Sequence, residues 1–227
     1  MEGQTCKGFQ QVKEAAEIHF QNLFSLDAQG EEADEDKFLT HIPSLISPED
    51  NSDLCKPVSE EEIIKVIWSM ESDKAPGPDG FTIHFYKACW DIIKYDLQKM
   101  IRGFLKKAKV GGSTNSTYLA LIPKDSNPET FARFRPISLC NASYKILAKL
   151  LANRLKPLLP RIISSSQGGF VEGRHILDNV TQVQETIHSS KHRKEKGMLI
   201  KLDMANAFDR VNATFLSEVL LSFGFSP

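Results

Sequence analysis

No run of about 18 uninterrupted apolar residues occurs in this 227-residue chain, so no segment has the composition of a membrane-spanning helix. Nor do the first ten residues, Met1 to Gln10, contain a basic patch followed by an apolar stretch. The chain is therefore expected to be unsecreted, nuclear or cytoplasmic, with no membrane partner. Cysteine is scarce as well. Cys6, Cys55, Cys89 and Cys140 stand too far apart for a CxxC pair or a metal-ligand cluster, which excludes a disulfide scaffold and leaves reduced thiols. In an unsecreted chain the Asn-x-Ser/Thr triplets at Asn115, Asn141 and Asn212 are chance occurrences. What is present is ordinary globular composition, 41% hydrophobic and 25% charged, which excludes wholesale disorder and suits one large domain or two small ones.

The net charge of −1 conceals an asymmetry. Residues 1–73 hold 17 Asp/Glu against 5 Lys/Arg, net −12, whereas residues 74–227 hold 12 against 23, net +11. A basic segment of this size suits a polyanionic partner, because each neutralised phosphate releases counterions and gives affinity without sequence preference. Basic side chains scattered over solvated helix faces would give the same count.

Apolar spacing divides the chain further. Phe9, Val12, Ala16, Phe20 and Leu23 predict an amphipathic helix over 9–24, ahead of an acidic linker from Gly30 to Asp36. Pro43, Pro48 and Pro57 break up residues 40–58, and Ser59-Glu-Glu-Glu62 is a capping box that starts a short helix. Lys74-Ala-Pro-Gly-Pro-Asp-Gly80 is a rigid turn, since two prolines and two glycines fit neither helix nor strand. A helix is predicted over 82–108, stopped by Gly111-Gly112. Tyr118–Lys124 and Phe134–Leu139 predict a two-stranded ribbon joined by a nine-residue loop, Asp125 to Arg133. Further helices are predicted over 141–159, with Lys145, Lys149, Arg154 and Lys156 largely off the apolar face, and from Ile176 to near the basic run Lys191–Lys194.

The last unit is a short apolar strand, Gly197–Asp203, ending in a carboxylate and followed by Ala207, Phe208, Val211, Phe215 and Val219 at helical spacing. An acid at the end of a buried strand is held rigidly with its head group free, which suits metal binding or catalysis. A helix N-cap aspartate would have the same local pattern.

Five fragments occur in order: Lys74-Ala-Pro-Gly-Pro-Asp-Gly80, Leu121-Ile-Pro-Lys124, Phe134-Arg-Pro-Ile-Ser-Leu139, Gln167-Gly-Gly-Phe170 with Gly173-Arg174, and Lys201-Leu-Asp-Met-Ala-Asn-Ala-Phe-Asp-Arg-Val211. Together they resemble the reverse transcriptase of LINE-type (non-LTR) retrotransposons in the form common in plants. The resemblance implies an α+β, helix-rich and incomplete right-hand polymerase. It would comprise an acidic N-terminal extension over 1–73, fingers over 74–195, and the first strand and helix of the palm over 196–227. It implies RNA-directed DNA polymerisation, with an RNA template, a primer DNA and deoxynucleoside triphosphates as partners and Mg²⁺ as cofactor.

Carried over by position, Asp203 corresponds to the first catalytic and metal-binding carboxylate, and the backbone carbonyl of Met204 to the adjoining metal ligand. Phe208 corresponds to the aromatic beneath the sugar that excludes a 2′-hydroxyl. Lys124 and Arg135 correspond to the basic residues that contact the triphosphate, the alternatives being a strand-end lysine and a surface ion pair. Gln167 and Arg174 fall in a motif near the template and fingers core, where a loop glutamine and a structural arginine are equally in keeping; Asp209 is assigned a helix-start or structural role, and Pro76, Pro78 and Gly80 shape a turn. No Tyr/Phe-x-Asp-Asp occurs, and Ala213 and Ala205-Asn206 depart from the family pattern. A truncated polymerase domain, inactive alone, is therefore expected. The alternatives are an inactive nucleic-acid-binding remnant and an RNA-processing protein of the intron-maturase kind, against which the Lys74–Gly80 motif speaks.

Overall fold

Ser59 turns out of the extended conformation into a helix, its hydroxyl accepting the Glu62 backbone N–H, as the capping box requires. The computed structural model describes residues 8–25, 37–194, 196–203 and 211–227. In chain order its principal elements are α1 (Phe9–Ser25), α2 (Pro48–Leu54), α3 (Glu60–Ser69), α4 (Ile83–Ala88), α5 (Trp90–Lys107), β1 (Thr117–Pro123), β2 (Phe134–Cys140), α6 (Ala142–Leu155), α7 (Leu159–Ile162), α8 (Ile176–His192) and α9 (Ala213–Ser222). The protein is thus helix-rich α+β, with one two-stranded sheet among the described residues. Two compact units divide it, one of residues 52–157 and one of residues 1–51 with 158–227.

In the 52–157 unit, α3, α4, α5 and α6 converge on one core, where Ile67, Ile101, Ile146 and Leu150 are wholly buried. The helix predicted over 82–108 is two helices. Cys89 leaves the helical region at φ −102° and ψ 17°, ending α4 and starting α5. The break lets Ile83 and Tyr86 on one side, and Trp90, Leu97 and Ile101 on the other, all reach the core. Trp90 meets Trp68 edge to face at 6.1 Å. The stop also differs from expectation: Ala108, left-handed at φ 50°, ends α5 three residues before the glycines, its N–H bonded to the Phe104 carbonyl. Past the ribbon, α6 ends at Leu155, short of the predicted 159. Pro157 lacks the N–H a continuing helix needs, and α7 restarts only at Leu159.

In the other unit, α1 covers the predicted span and buries Phe20. The segment expected to be merely broken by prolines contains α2, with Pro48 at its first position. Ser47 and Asp50 cap it reciprocally: the Ser47 N–H and hydroxyl donate to Asp50 Oδ2 at 2.8 Å each, and the Asp50 N–H donates to Ser47 Oγ at 3.2 Å. The Leu45 and Ile46 N–H groups both donate to the Phe223 carbonyl at 2.9 Å. The Asn51 side chain donates to the Gly224 carbonyl at 2.7 Å and accepts from the Ser226 N–H at 2.9 Å. Gly224 is required there, since its φ is +99° and a Cβ would sit 2.7 and 2.8 Å from Ser44 Oγ and the Ile46 carbonyl.

The strand expected over 197–203 is not formed. Residues 196–203 have no regular structure, and Met198, Leu199, Ile200 and Leu202 are 65–88% exposed. A strand needs a hydrogen-bonding neighbour, and the sheet among the described residues consists of β1 and β2 alone. The helix expected to run from Ala207 through Val219 also does not run through: Asn212 is extended at ψ 122°, and its side-chain oxygen accepts the Thr214 and Phe215 N–H groups, so α9 starts at Ala213. The 207–210 part of that prediction and the acidic linker lie outside the described residues.

Candidate nucleotide-binding ribbon

Strands β1 and β2 pair antiparallel from Thr117↔Cys140 to Pro123↔Phe134. Ile122 is opposite Arg135, so the two project from the same face, with Ala120/Ile137 and Tyr118/Leu139 continuing it. Lys124, two residues beyond Ile122, extends the same face past the strand end. This face is open: Tyr118, Ile122 and Ile137 are 60%, 49% and 41% exposed, and Arg135 is exposed.

The loop closing the ribbon is ordered by its own polar groups. The Lys124 N–H donates to the Arg133 carbonyl at 2.8 Å, its ammonium donates to the Ala132 carbonyl at 2.8 Å, and Arg133 pairs with Asp125 at 3.4 Å. A 3-10 turn at Phe131–Arg133 brings those carbonyls round to Lys124. The Arg135 side chain, by contrast, makes no hydrogen bond or ion pair within the described residues, so the surface ion pair weighed as its alternative is not formed there. The residue is exposed on a paired strand. That is the arrangement a phosphate ligand needs, whereas Lys124 would have to release one carbonyl.

The base of the ribbon is fixed by a residue with no sequence signal for such a role. Asn141, directly after β2, is only 3% exposed. Its Oδ1 accepts the Asp79 N–H at 3.1 Å, and its Nδ2 donates to the Ser113 carbonyl at 2.8 Å. One buried amide thus joins the end of β2, the loop before β1 and the Lys74–Gly80 segment. That segment is a β-turn closed by the Gly80 N–H on the Gly77 carbonyl at 3.0 Å, with Pro78 and Asp79 at its centre. A Cβ at Gly77 would lie 2.4–2.5 Å from the Asn141 nitrogen, the Asn141 Oδ1 and the Cys140 carbonyl carbon, so only glycine allows the turn to dock. Lys145 adds a bond to the Ala75 carbonyl at 2.8 Å. The sequence signal for Asn141, a glycan-like triplet, points elsewhere.

Arg154, read in the sequence only as one of the basic residues largely off the apolar face, is a second structural residue. Its side chain is 12% exposed and forks onto Glu62, Nε to Oε1 at 2.7 Å and Nη2 to Oε2 at 2.8 Å, while Nη1 donates to the Leu54 and Lys56 carbonyls. This guanidinium lowers the Glu62 pKa, and the carboxylate in turn raises that of Arg154.

Asp203 belongs to the other unit, on the exposed unpaired segment. Met204, Phe208 and Asp209 lie outside the described residues. Arg174 is structural: its guanidinium donates to the carbonyls of Ser164, Gln167, Ile163 and Pro160, gathering the end of α7 and the loop after it. Gln167 lies in that loop, its N–H on the Ser164 carbonyl at 3.0 Å. Among the described residues no three His, Cys, Asp or Glu side chains gather as a metal site, and no helix is long and apolar enough to cross a membrane. Cys55, Cys89 and Cys140 are free thiols; Cys6 is outside the described residues.

Residues 122–227, which begin inside β1 and include Lys124, Arg135 and Asp203, match the family model described as reverse transcriptase (RNA-dependent DNA polymerase). Just under half of the chain is thus similar to reverse transcriptases. Across a longer stretch the chain is 31% identical over 216 residues, 95% of its length, to the transposon TX1 uncharacterized 149 kDa protein of Xenopus laevis, of which it covers 16%. It is 30% identical over 75% of its length to a probable RNA-directed DNA polymerase from transposon BS of Drosophila melanogaster, covering 19% of that protein. Against the retrovirus-related Pol polyprotein from type-1 retrotransposable element R2 of Popillia japonica it is 25% identical over 74% of its length, covering 23%. The chain therefore spans less than a quarter of each of these relatives. The match to the TX1 protein takes in the 52–121 region as well, so it spans both Asn141 and the segments that Asn141 joins.

Proposed function

We propose that this chain is part of an RNA-directed DNA polymerase of the non-LTR kind and that its ribbon binds the triphosphate of the incoming deoxynucleotide. In this reading residues 74–195 are fingers and 196–227 the start of the palm of a right-hand polymerase, with an RNA template and a DNA primer as partners. The observation that carries it is the Arg135 guanidinium, unpartnered on the open face that Lys124 extends, within the segment that matches the family. Arg135 supplies a planar fork for two phosphate oxygens and Lys124 a point charge beside it. The Asn141 hub holds the ribbon's base, so both cations are presented on a fixed frame. Phe208 is assigned to the underside of the sugar, where its bulk disfavours a 2′-hydroxyl.

Magnesium does not fit the described residues by themselves. Mg²⁺ is held octahedrally by one or two carboxylates together with waters and substrate phosphates, and no three metal-ligating side chains gather among the described residues, which leaves Asp203 and the Met204 carbonyl as the assigned ligands. These two are proposed as ligands only alongside further carboxylates, which this sequence does not supply as Tyr/Phe-x-Asp-Asp.

The test is kinetic. In a polymerase assembled from this segment and the remaining palm of a relative, Arg135→Ala removes a charge-assisted contact of about 1.5–3 kcal/mol and raises the KM for deoxynucleotides roughly ten- to a hundredfold. Phe208→Ala admits ribonucleotides. Unchanged nucleotide kinetics in both variants would overturn the assignments.

A further inference from the structure

Within the 52–157 unit, an open groove runs between the 54–58 segment and α5. Its lining contains five cations, Lys56, Lys99, Arg102, Lys106 and Arg154, and no Asp or Glu. Two of the five are already engaged: Lys56 pairs with Asp53 at 2.6 Å, and Arg154 forks onto Glu62. The side chains of Lys99, Arg102 and Lys106 are exposed and make no hydrogen bond or ion pair within the described residues. Their three- and four-residue spacing places them on a single stripe of α5. Tyr95, at the head of that stripe, already has the Lys94 ammonium 5.5 Å over its ring, so the groove is defined by charge and not by an open aromatic face.

The same sequence contains a matching anion. Glu31, Glu32, Asp34, Glu35 and Asp36 place five carboxylates within the seven residues from Gly30 to Asp36, with no Lys or Arg among them. Carboxylates this dense repel one another, as do three unpaired cations along one helix stripe, and bringing the two together relieves both. The absence of any acid from the groove lining leaves nothing to oppose the approach. We infer that the groove binds the acidic 30–36 segment of a second copy of this chain. Two copies that exchange segments fill two grooves, which closes the assembly as a two-fold pair and leaves neither charge cluster unmatched. The groove is separate from the ribbon, and the pairing stands whether or not the ribbon binds nucleotides.

The test is sedimentation velocity of the nuclease-treated full chain at about 20 μM, in about 50 and about 500 mM salt, with no nucleotide present. The chain sediments as a dimer at the lower salt and as a monomer at the higher, because pairing between exposed charges is screened. A groove variant, Lys99→Gln/Arg102→Gln/Lys106→Gln, and a segment variant, Glu31→Gln/Glu32→Gln/Asp34→Asn/Glu35→Gln/Asp36→Asn, each raise the dimer dissociation constant about tenfold or more. An equal mixture of the two recovers association, since one still offers a segment and the other a groove; variants that had merely misfolded would not complement each other. A chain that stays monomeric at the lower salt overturns the inference. So does a dimer that nuclease treatment abolishes, that strengthens with salt as an apolar contact would, or that both variants form as readily as the parent chain. A mixture that associates no better than either variant alone overturns it as well.

Discussion

At residue scale, buried polar groups do more to define this molecule than its exposed charges. Asn141 spends both ends of its amide on backbone groups from two distant segments, and removing it leaves the Asp79 N–H and the Ser113 carbonyl without their partner. Gly77→Ala attacks the same junction from the other side, pressing a methyl onto backbone atoms 2.4–2.5 Å away. Each change is expected to cost about 1–3 kcal/mol, read as a lower urea midpoint with an unchanged slope. A midpoint unaffected by Gly77→Ala would show that the turn is not docked on Asn141. Asp50 gives a pH signature in the other unit. The Ser47 backbone N–H, then the Arg161 guanidinium at 2.5 Å and the Ser47 hydroxyl, hold its carboxyl down to about 2 from 3.8. The folded pKa is depressed, so the stabilisation is present in full above the unfolded value near 3.8 and is lost as pH falls through about 2. Asp50→Asn is therefore destabilising at pH 5, and its difference from the parent chain shrinks between pH 4 and pH 2; a difference constant across that range would contradict the assignment.

At the scale of elements, Arg154 is the brace between α3, α6 and the segment entering α3. Its replacement by methionine keeps the stem but leaves the Glu62 carboxylate and two carbonyls unpaired, for an expected loss of about 2–3 kcal/mol in thermal or urea unfolding. Glu62→Gln, which retains a neutral acceptor, costs less. Such tertiary roles mark the limit of what the sequence discloses. Ser59, the ribbon, α1 and α8 were legible because cap chemistry and apolar period act within a few residues. Cys89 and Ala108 were not: neither is a conventional breaker, and at Cys89 the chain breaks where Tyr86 and Trp90 both turn into the core. Ser47-Pro48-Glu49-Asp50 carried a readable start signal that the surrounding prolines obscured. The 197–203 segment shows the opposite case, an apolar pattern without a strand, because pairing depends on a neighbour that local sequence does not encode. Of the candidate site, Lys124 and Arg135 are proposed from their fragments, whereas the frame beneath the ribbon, Asn141 with Gly77, appears only when distant segments meet.

At the scale of the whole molecule, the charge division has a functional reading: the basic 74–227 region, net +11, suits phosphates, and on its ribbon the Arg135 side chain has no partner among the described residues. The polymerase reading rests on the ribbon, and the most direct measurement is equilibrium binding of a radiolabelled deoxynucleoside triphosphate to the full chain and to its Arg135→Ala and Lys124→Ala/Arg135→Ala variants. The account predicts saturable binding that the single change weakens roughly ten- to a hundredfold and the double change weakens further. Binding of equal strength in the parent chain and the double variant would contradict it.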